Sequence, residues 1–296
     1  MYMAIFTGAG VALITPMKED LSVDYDQLER VINDQIDHGT DSIIICGTTG
    51  EASTMSHKEQ IEVVSACVSC VNKRVPVIAG AGANCTDEAL YLAKESERVG
   101  SDGLLVVTPY YNKATQAGLV EYYTSIGNSV NIPIIMYNIP GRTGVNIQPE
   151  TTAKIFKSVE NIVGMKEASG NLSQVADALY LTDGELDMYS GNDDQILPVL
   201  SLGGKGVISV LSNIAPQETH DMVMKFLNGD VKGSQELQMK YMDVIHKLFC
   251  EVNPIPVKRA MAELGFGANA VRRPLTEMEE GHAQELIESM KKAGIL

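Results

Sequence analysis

The chain has 296 residues, of which 45% are hydrophobic and 21% are charged, so its size suits either two small soluble domains or one α/β barrel. The formal net charge of −15 argues against nucleic acids and anionic membranes as partners, because phosphate contacts need clustered Lys and Arg. The odd count of five cysteines argues against a disulfide framework. The N-terminus shows no basic leader, which argues against secretion, and no apolar run reaches the roughly 18 residues of a membrane span. We therefore expect a cytoplasmic protein.

Eight short apolar runs rich in Val, Ile and Leu follow one another along the first two thirds of the chain. Longer amphipathic stretches separate them, a pattern typical of parallel strands joined by helices. Their nearly continuous apolar character indicates strands that are covered on both faces. The predicted strands span residues 10–15, 42–47, 75–80, 103–108, 132–138, 162–166, 186–190 and 206–210.

The amphipathic stretches predict helices at residues 25–38, 58–71, 86–99 and 116–129. Asp24, Ser56 and Thr86 stand where N-caps are expected, and Glu59 follows Ser56 by three residues, as in a capping box. After Asn213 the strand pattern stops. Further helices are predicted at residues 217–228, 234–250, 256–264 and 277–293.

Eight strands with intervening helices are the number that closes a (βα)8 TIM barrel, so we predict an α/β fold of this class with a C-terminal helical appendage. The predicted domains are a catalytic barrel at residues 1–224 and a helical domain at residues 225–296. A doubly wound open sheet is the alternative. It usually has fewer strands and a Gly-rich turn after the first strand, whereas Gly8-Ala-Gly10 precedes the first predicted strand here.

Lys166 is the most informative residue at the C-terminal strand ends, where the active site of such a barrel lies. A lysine that ends an apolar strand would be costly as an unpaired buried cation, and burial lowers its pKa toward neutrality. The free amine is then a nucleophile suited to a ketone. Alternatively, Lys166 is structural and interacts with Glu167 or reaches Glu51 at the barrel mouth.

Hydroxyl groups and one cation at neighbouring strand ends complete this candidate site. Tyr137 is a phenol that can shuttle protons, with hydroxyls available from Thr48, Thr49 and Tyr111. Each of them taken singly could be no more than a hydrogen-bonded strand end. Backbone N–H groups of Gly47-Thr-Thr-Gly near a helix start suit a carboxylate, and Arg142 could bind a second one or form a surface salt bridge.

Other reactive residues are expected to be inert. Cys67 and Cys70 have redox spacing, but they fall in a helical pattern away from the strand ends. The five histidines are scattered and form no ligand cluster with one another, so no metal site is predicted.

Five motifs in the expected order carry a resemblance to a known family. They are Gly47-Thr-Thr-Gly-Glu51, Pro109-Tyr-Tyr111, Tyr137-Asn-Ile-Pro-Gly-Arg-Thr-Gly144, Gly164-Met-Lys-Glu-Ala168 and Gly206-Val-Ile-Ser209. The chain resembles the 4-hydroxy-tetrahydrodipicolinate (dihydrodipicolinate) synthases from about Gly8 to its end, including Asn253-Pro-Ile-Pro-Val-Lys258. The resemblance implies condensation of pyruvate with L-aspartate 4-semialdehyde, the first committed step toward diaminopimelate and lysine, without a cofactor.

The resemblance also implies roles for individual residues. Lys166 would form the Schiff base, and Tyr137, Thr48 and Tyr111 would relay protons, with Tyr111 reaching into the neighbouring subunit's site. Arg142 would bind the semialdehyde carboxylate. The pyruvate end would be lined by Thr49 and by the main chain of Gly191 and Ile208. The implied assembly is a homotetramer, a dimer of dimers.

Feedback inhibition by lysine is a further implication of the resemblance. The positions that match the family's inhibitor site are Ala52, Ser53, His57, Gln60, Asn84, Glu88 and Tyr110. Glu88 could pair with the inhibitor's α-amino group. Gln60 replaces a histidine and Ala52 replaces a serine found in some sensitive members, so we expect weak to moderate inhibition.

The sequence leaves two alternatives to the synthase function open. N-acetylneuraminate lyases and keto-deoxy-sugar acid aldolases share the lysine and the tyrosine, but Arg142 in its Pro-Gly-Arg-Thr-Gly context and the double threonine favour the synthase. A barrel that has lost catalysis and acts as a binding or regulatory module would need neither Lys166 nor Tyr137, so the complete relay argues against it.

Overall fold

A computed structural model describes residues 4–296; residues 1–3, part of the predicted barrel domain and of the stretch searched for a leader, lie outside the described residues. Eight parallel strands form a closed barrel in which each strand pairs with the next and β8 pairs with β1. Closure confirms the TIM-barrel prediction and contradicts the open-sheet alternative. The strands are β1 (Gly8–Ala12), β2 (Ser42–Ile45), β3 (Val77–Gly80), β4 (Gly103–Val107), β5 (Ile134–Asn138), β6 (Ile162–Glu167), β7 (Asp187–Ser190) and β8 (Gly206–Ser209).

Helices follow the strands and cover the outside of the barrel. They are α1 (Tyr25–Asp37), α2 (His57–Val71), α3 (Thr86–Arg98), α4 (Gln116–Gly127), α5 (Pro140–Thr143), α6 (Pro149–Ser158), α7 (Leu172–Leu181), α8 (Ile196–Ser201), α9 (Pro216–Leu227), α10 (Val231–Lys247), α11 (Ile255–Glu263) and α12 (Glu280–Ala293). No helix among residues 4–296 is long and apolar enough to cross a membrane.

The core has two parts because side chains alternate between the two faces of each strand. The larger part packs between the strands and the helices. A smaller cluster fills the barrel interior and includes Ile44, Leu105, Ile135, Tyr137 and Ile208. On β5, Ile135 and Tyr137 therefore point into the barrel. Tyr137 is the one nearer the C-terminal end of the strand, so it lies at the barrel mouth.

The first strand begins earlier than predicted. It runs over Gly8–Ala12 rather than 10–15, so Gly8 and Gly10 lie inside the strand and not before it. A Cβ at Gly206 of β8 would lie 1.9 Å from the carbonyl oxygen of Gly8, so the two backbones approach where neither residue carries a side chain. Glycine gave no apolar signal at these positions, which explains the error.

Helix caps are confirmed at two of the three predicted positions. Asp24 accepts a hydrogen bond from the N–H of Gln27, and Ser56 accepts one from the N–H of Glu59. The prediction for Thr86 is wrong. Cys85 occupies the N-cap of α3 without a side-chain hydrogen bond, and Thr86 is the first helical residue.

Of the C-terminal helices, α10 and α11 both pack against α12, and α10 also packs against α9 and α8. The predicted domain boundary after residue 224 falls inside α9, which also packs against β1. Because a domain boundary belongs in a connection rather than within a helix, we propose that the appendage begins after the turn at residues 228–230.

A buried ion pair fastens this appendage to the barrel. Lys258 of α11 binds Glu51 after β2, and both side chains are almost fully inaccessible. Glu51 also accepts the N–H of Arg272 at 2.9 Å, and Arg272 in turn binds Glu59 at 2.6 Å. Glu51 has a positive φ of 54°, so the chain turns sharply to present this carboxylate.

Candidate active site

The side chains of Tyr137 and Lys166 meet inside the barrel mouth. The two residues are direct partners in the pairing of β5 with β6, and the Lys166 Nζ lies 4.4 Å from the centre of the Tyr137 ring. Both are buried, with 6% of each residue exposed. The next partners along the strands, Asn138 and Glu167, therefore point to the opposite side of the sheet.

The outward pair is held by a buried polar network. The Asn138 amide donates to both oxygens of the Glu167 carboxylate, at 3.2 and 3.0 Å. Gln174 of α7 donates to the same carboxylate at 2.9 Å, and so does the N–H of Ser169 at 2.6 Å. These bonds satisfy a buried carboxylate and fix the ends of both strands, so Lys166 and Tyr137 stay turned inward.

Burial shifts the pKa values of Lys166 and Tyr137 in opposite directions. Burial lowers the pKa of Lys166 to about 8, although the Asp193 carboxylate opposes this shift and the Arg142 cation assists it. Burial raises the pKa of Tyr137 to about 12 against the influence of Arg142 and of a hydrogen bond with the Thr48 side chain. Near neutral pH the phenol keeps its proton, while a sizeable fraction of the amine is free to attack.

The two threonines of the loop after β2 have different surroundings. Thr48 is exposed and bonds with Tyr137, which extends the phenol toward solvent. Thr49 is buried, and its hydroxyl oxygen accepts a hydrogen bond from the Asn253 amide at 3.0 Å. The hydroxyl proton of Thr49 is therefore available to a ligand.

Arg142 lies on α5, a single helical turn after β5. Pro140 occupies the first turn, where a missing N–H costs nothing, and Gly144 ends it with a φ of 72°. The guanidinium donates to the carbonyl oxygen of Asn253 at 3.3 Å and is otherwise exposed. The structure thus holds one cation at the rim of the site with donors to spare for an anion.

These residues enclose a cavity of about 50 Å³. Its wall includes Lys166, Tyr137, Thr48, Thr49, Arg142, Gly191, Asn192, Val210, Phe249 and Asn253. A Cβ at Gly191 would lie 2.6 Å from the Cβ of Ala168, so only glycine fits there. Ile208 belongs to the barrel interior, and Val210, two residues later, lines the cavity in its place.

Tyr111 is not brought into the site of its own chain. It is 89% exposed and has a positive φ of 73°, unusual for a bulky residue. Its N–H donates to the carbonyl oxygen of Thr143 at 3.3 Å, so the backbone at Tyr111 is hydrogen-bonded to α5, the helix that carries Arg142. A role in a neighbouring subunit stays a prediction.

Six of the seven residues expected to bind an inhibitor line a second cavity of about 270 Å³; they are Ala52, Ser53, His57, Gln60, Glu88 and Tyr110. His57 Nε2 lies 3.8 Å from a Glu88 oxygen. Asn84 is not on the wall; its carbonyl oxygen accepts the Asn112 amide at 2.8 Å. Thr48, Tyr137 and Arg142 line this cavity as well as the first, so the two share a wall.

Comparison with known proteins agrees with this geometry. A family model described as the dihydrodipicolinate synthetase family matches residues 5–293. The chain belongs to this family.

Members of the dihydrodipicolinate synthetase family match over essentially the whole chain. The 4-hydroxy-tetrahydrodipicolinate synthase of Lachnoclostridium phytofermentans is 58% identical over 294 residues, which cover 99% of this chain and 100% of that protein. The crystal structure of the enzyme from Cyanidioschyzon merolae with lysine bound has a TM-score of 0.96 at 40% identity, covering 99% of this chain and 100% of that one. The chloride-inhibited enzyme from Acinetobacter baumannii complexed with pyruvate has a TM-score of 0.96 at 41% identity, covering 98% and 99%.

The structure adds residues that the sequence did not reveal. Asn253 contacts both Thr49 and Arg142, although sequence analysis gave it no role beyond membership of a tail motif. Asp193 acts on Lys166 from the loop after β7. The alternative in which Lys166 pairs with Glu51 is wrong, because Lys258 takes that place.

One mixed group of potential metal ligands is present on the appendage. Ligand atoms of Glu251, Glu279 and His282 lie within 4.8 Å of one another, a grouping that the scatter of the histidines did not predict. Glu251 Oε1 is engaged by the N–H of Glu279 at 3.0 Å and by His282 Nδ1 at 2.8 Å. The three residues therefore have a structural role, because these bonds connect the segment after α10 with the start of α12.

Trapping of a pyruvate adduct by borohydride should depend on pH through Lys166. A pKa of about 8 leaves about one amine in ten neutral at pH 7, against about three in ten thousand for an ordinary lysine. Because only the neutral amine attacks a ketone, the initial trapping rate should rise with pH and reach half its maximum near pH 8. Peptide mass mapping should find one pyruvate-derived mass per chain, on Lys166. A label elsewhere, or a midpoint near pH 10.5, would contradict the assignment.

Proposed function

We propose that this protein condenses pyruvate with L-aspartate 4-semialdehyde to give 4-hydroxy-tetrahydrodipicolinate, the first committed step of diaminopimelate and lysine biosynthesis. It would act as a class I, Schiff-base lyase of the aldolase type. The observation that carries the proposal is the buried Lys166 amine in register with the Tyr137 phenol at the barrel mouth. Family membership and full-length identity with the Lachnoclostridium synthase support the choice of substrates.

Lys166 and Tyr137 divide the first step between them. The neutral amine attacks the ketone carbon of pyruvate, and loss of water from the carbinolamine gives a cationic Schiff base. The phenol, which keeps its proton because its pKa is raised to about 12, donates it to the departing oxygen. Thr48, bonded to the phenol and exposed, connects it with solvent for the return of a proton.

The two carboxylates of the substrates need separate anchors. The Thr49 hydroxyl, whose oxygen already accepts from Asn253, would donate to the pyruvate carboxylate beside the main chain of Gly191. Ile208 supports this end from the barrel interior. Arg142 at the rim would bind the carboxylate of the semialdehyde in a charge-assisted pair.

The Arg142→Ala variant should test the orientation of the substrates. Pyruvate trapping should be spared, while the apparent KM for the semialdehyde should rise about tenfold to a hundredfold, since a hydrogen-bonded charge pair is worth roughly 1.5–3 kcal/mol. Steady-state kinetics with each substrate varied would measure this. Arg98→Ala removes an exposed cation paired with Glu95 and is the matched control. Loss of pyruvate trapping with an unchanged semialdehyde KM would reverse the orientation, and wild-type preference for N-acetylmannosamine would contradict the function.

We propose that the chain forms a homotetramer built as a dimer of dimers. The exposed Tyr111 side chain supports this assembly, because the phenol is 89% exposed on a backbone with a positive φ and lines neither cavity of its own chain. In the partner's site it would complete the relay of Tyr137 and Thr48. The five cysteines are all unpaired, which supports a reducing, cytoplasmic location.

Mixing two inactive variants should test the shared site. Tyr111→Phe and Lys166→Ala chains, exchanged into mixed dimers, would create one site with both native residues and one with neither. Part of the activity should then return, while each parent alone stays inactive. Native mass spectrometry would establish that mixed dimers are present. Mixed dimers without recovered activity would mean that Tyr111 does not serve the partner.

We propose that lysine binds in the second cavity as a feedback inhibitor. Glu88 would pair with the α-ammonium group, His57 and Tyr110 would supply polar contacts, and the shared wall at Tyr137 would connect occupancy with catalysis. Ala52, Ser53, Gln60 and the neighbouring Asn84 complete the proposed site. The related structure with lysine bound supports this choice of ligand.

Glu88→Gln should weaken inhibition by lysine. Removing the counter-charge of the α-ammonium group should raise the lysine concentration for half-inhibition by on the order of tenfold. Glu62→Gln, which removes an exposed carboxylate that pairs with Lys58, is the control and should leave that concentration unchanged. Equal inhibition of wild type and Glu88→Gln would place the inhibitor elsewhere.

A further inference from the structure

Asp193 is a buried carboxylate in the loop after β7, and only 2% of the residue is exposed. One of its oxygens, Oδ2, accepts the N–H groups of Val210 at 3.1 Å and Leu211 at 2.9 Å. Val210 lines the cavity that contains Lys166. The carboxylate therefore lies behind the cavity wall, between the ends of β7 and β8.

The second oxygen of Asp193 is unusual. Oδ1 is buried and has no hydrogen-bond partner among residues 4–296. A buried, unpaired carboxylate oxygen is costly unless a nearby positive charge compensates it. Burial raises the pKa of Asp193, while Ser209, the N–H groups of Leu211 and Val210, and the charge of Lys166 favour the ionised form.

The charged and titratable groups facing Lys166 come from three other elements. Tyr137 on β5 stays neutral near pH 7, and Arg142 on α5 repels a second cation. Glu167, next to Lys166 in the chain, is turned outward and engaged by Asn138 and Gln174. Asp193 supplies the negative charge that acts on the Lys166 nitrogen.

Schiff-base formation changes the charge of this nitrogen. A neutral amine, a ketone and one proton give an iminium cation and one water. The lysine ammonium can lose its proton to relieve burial. The iminium can likewise lose its N–H proton, but the neutral imine activates the adjacent carbon far less, so the reaction needs the cation until a proton leaves that carbon to give the neutral enamine. A buried cation that the reaction must retain requires a partner.

We propose that the Asp193 carboxylate is the counter-charge of the cationic Schiff base on Lys166. This inference rests on the proposed function. Asp193 acts through Lys166 and touches no substrate. Its two backbone hydrogen bonds hold Oδ2, which fixes the carboxylate behind the cavity wall.

The Asp193→Asn variant should separate this role from a structural one. An amide oxygen can still accept the N–H groups of Val210 and Leu211, but the charge is gone. Because a nearby carboxylate raises the pKa of a lysine, its removal should shift the midpoint of borohydride trapping downward by roughly one pH unit. The pyruvate concentration for half-maximal trapping, measured above both midpoints, should rise on the order of tenfold. Asp194→Asn, at the exposed neighbouring position, should change neither quantity.

A second variant keeps the test decisive if Asp193→Asn does not fold. Ser209→Ala preserves the carboxylate but removes a hydroxyl that favours its ionised form, so the trapping midpoint should move in the same direction by a smaller amount. Circular dichroism would establish folding. Midpoints and pyruvate requirements equal to those of the wild type would overturn the inference while leaving the Schiff-base function intact. Absence of any pyruvate adduct in the wild type would instead refute the proposed function.

Discussion

The register between β5 and β6 is the constraint on which the site depends. Tyr137 opposes Lys166 inside the barrel, and Asn138 opposes Glu167 outside it. A shift by one residue would exchange the two faces, burying the amine among the helices and pointing the carboxylate into the barrel. The bonds from Asn138 and Gln174 to Glu167 oppose such a shift, because a buried carboxylate without its donors is strongly disfavoured. The outward network thus maintains the inward chemistry.

The appendage acts as the second support of the barrel mouth. Asn253 bonds with Thr49 through its side chain and with Arg142 through its carbonyl oxygen, so one residue positions both proposed carboxylate anchors. The Lys258–Glu51 pair secures the segment that carries it. Breaking such a buried pair by removing one partner typically costs about 3–5 kcal/mol. The geometry of a barrel site is therefore set in part by helices that lie outside the barrel.

Local patterns predicted the barrel and the central residues, but contacts between distant segments escaped them. Lys166 could be identified because an isolated cation at the end of an apolar strand conflicts with its surroundings, and Tyr137 because it ends the preceding strand. Asn253 could not, since its bond to Thr49 spans 204 residues. Asp193 stood among polar loop residues without any periodic signal, and the side chain of Tyr111 is 89% exposed, so its surroundings within the chain indicate no role. Resemblance to a family assigned roles to residues that local patterns could not identify, but only where a whole motif matched.

The depth of the two cations also bears on the order of events under the proposed function. Both residues line the same cavity, but Lys166 is buried whereas Arg142 is exposed. The semialdehyde reacts with the adduct of pyruvate on Lys166 and not with the free amine, so pyruvate must bind first. The chain carries a formal net charge of −15, and attraction of an anion therefore depends on these local cations. The neutral fraction of Lys166 weakens that attraction, but it is the form that acts as the nucleophile. Once the iminium has formed, its charge and that of Arg142 both attract the semialdehyde carboxylate.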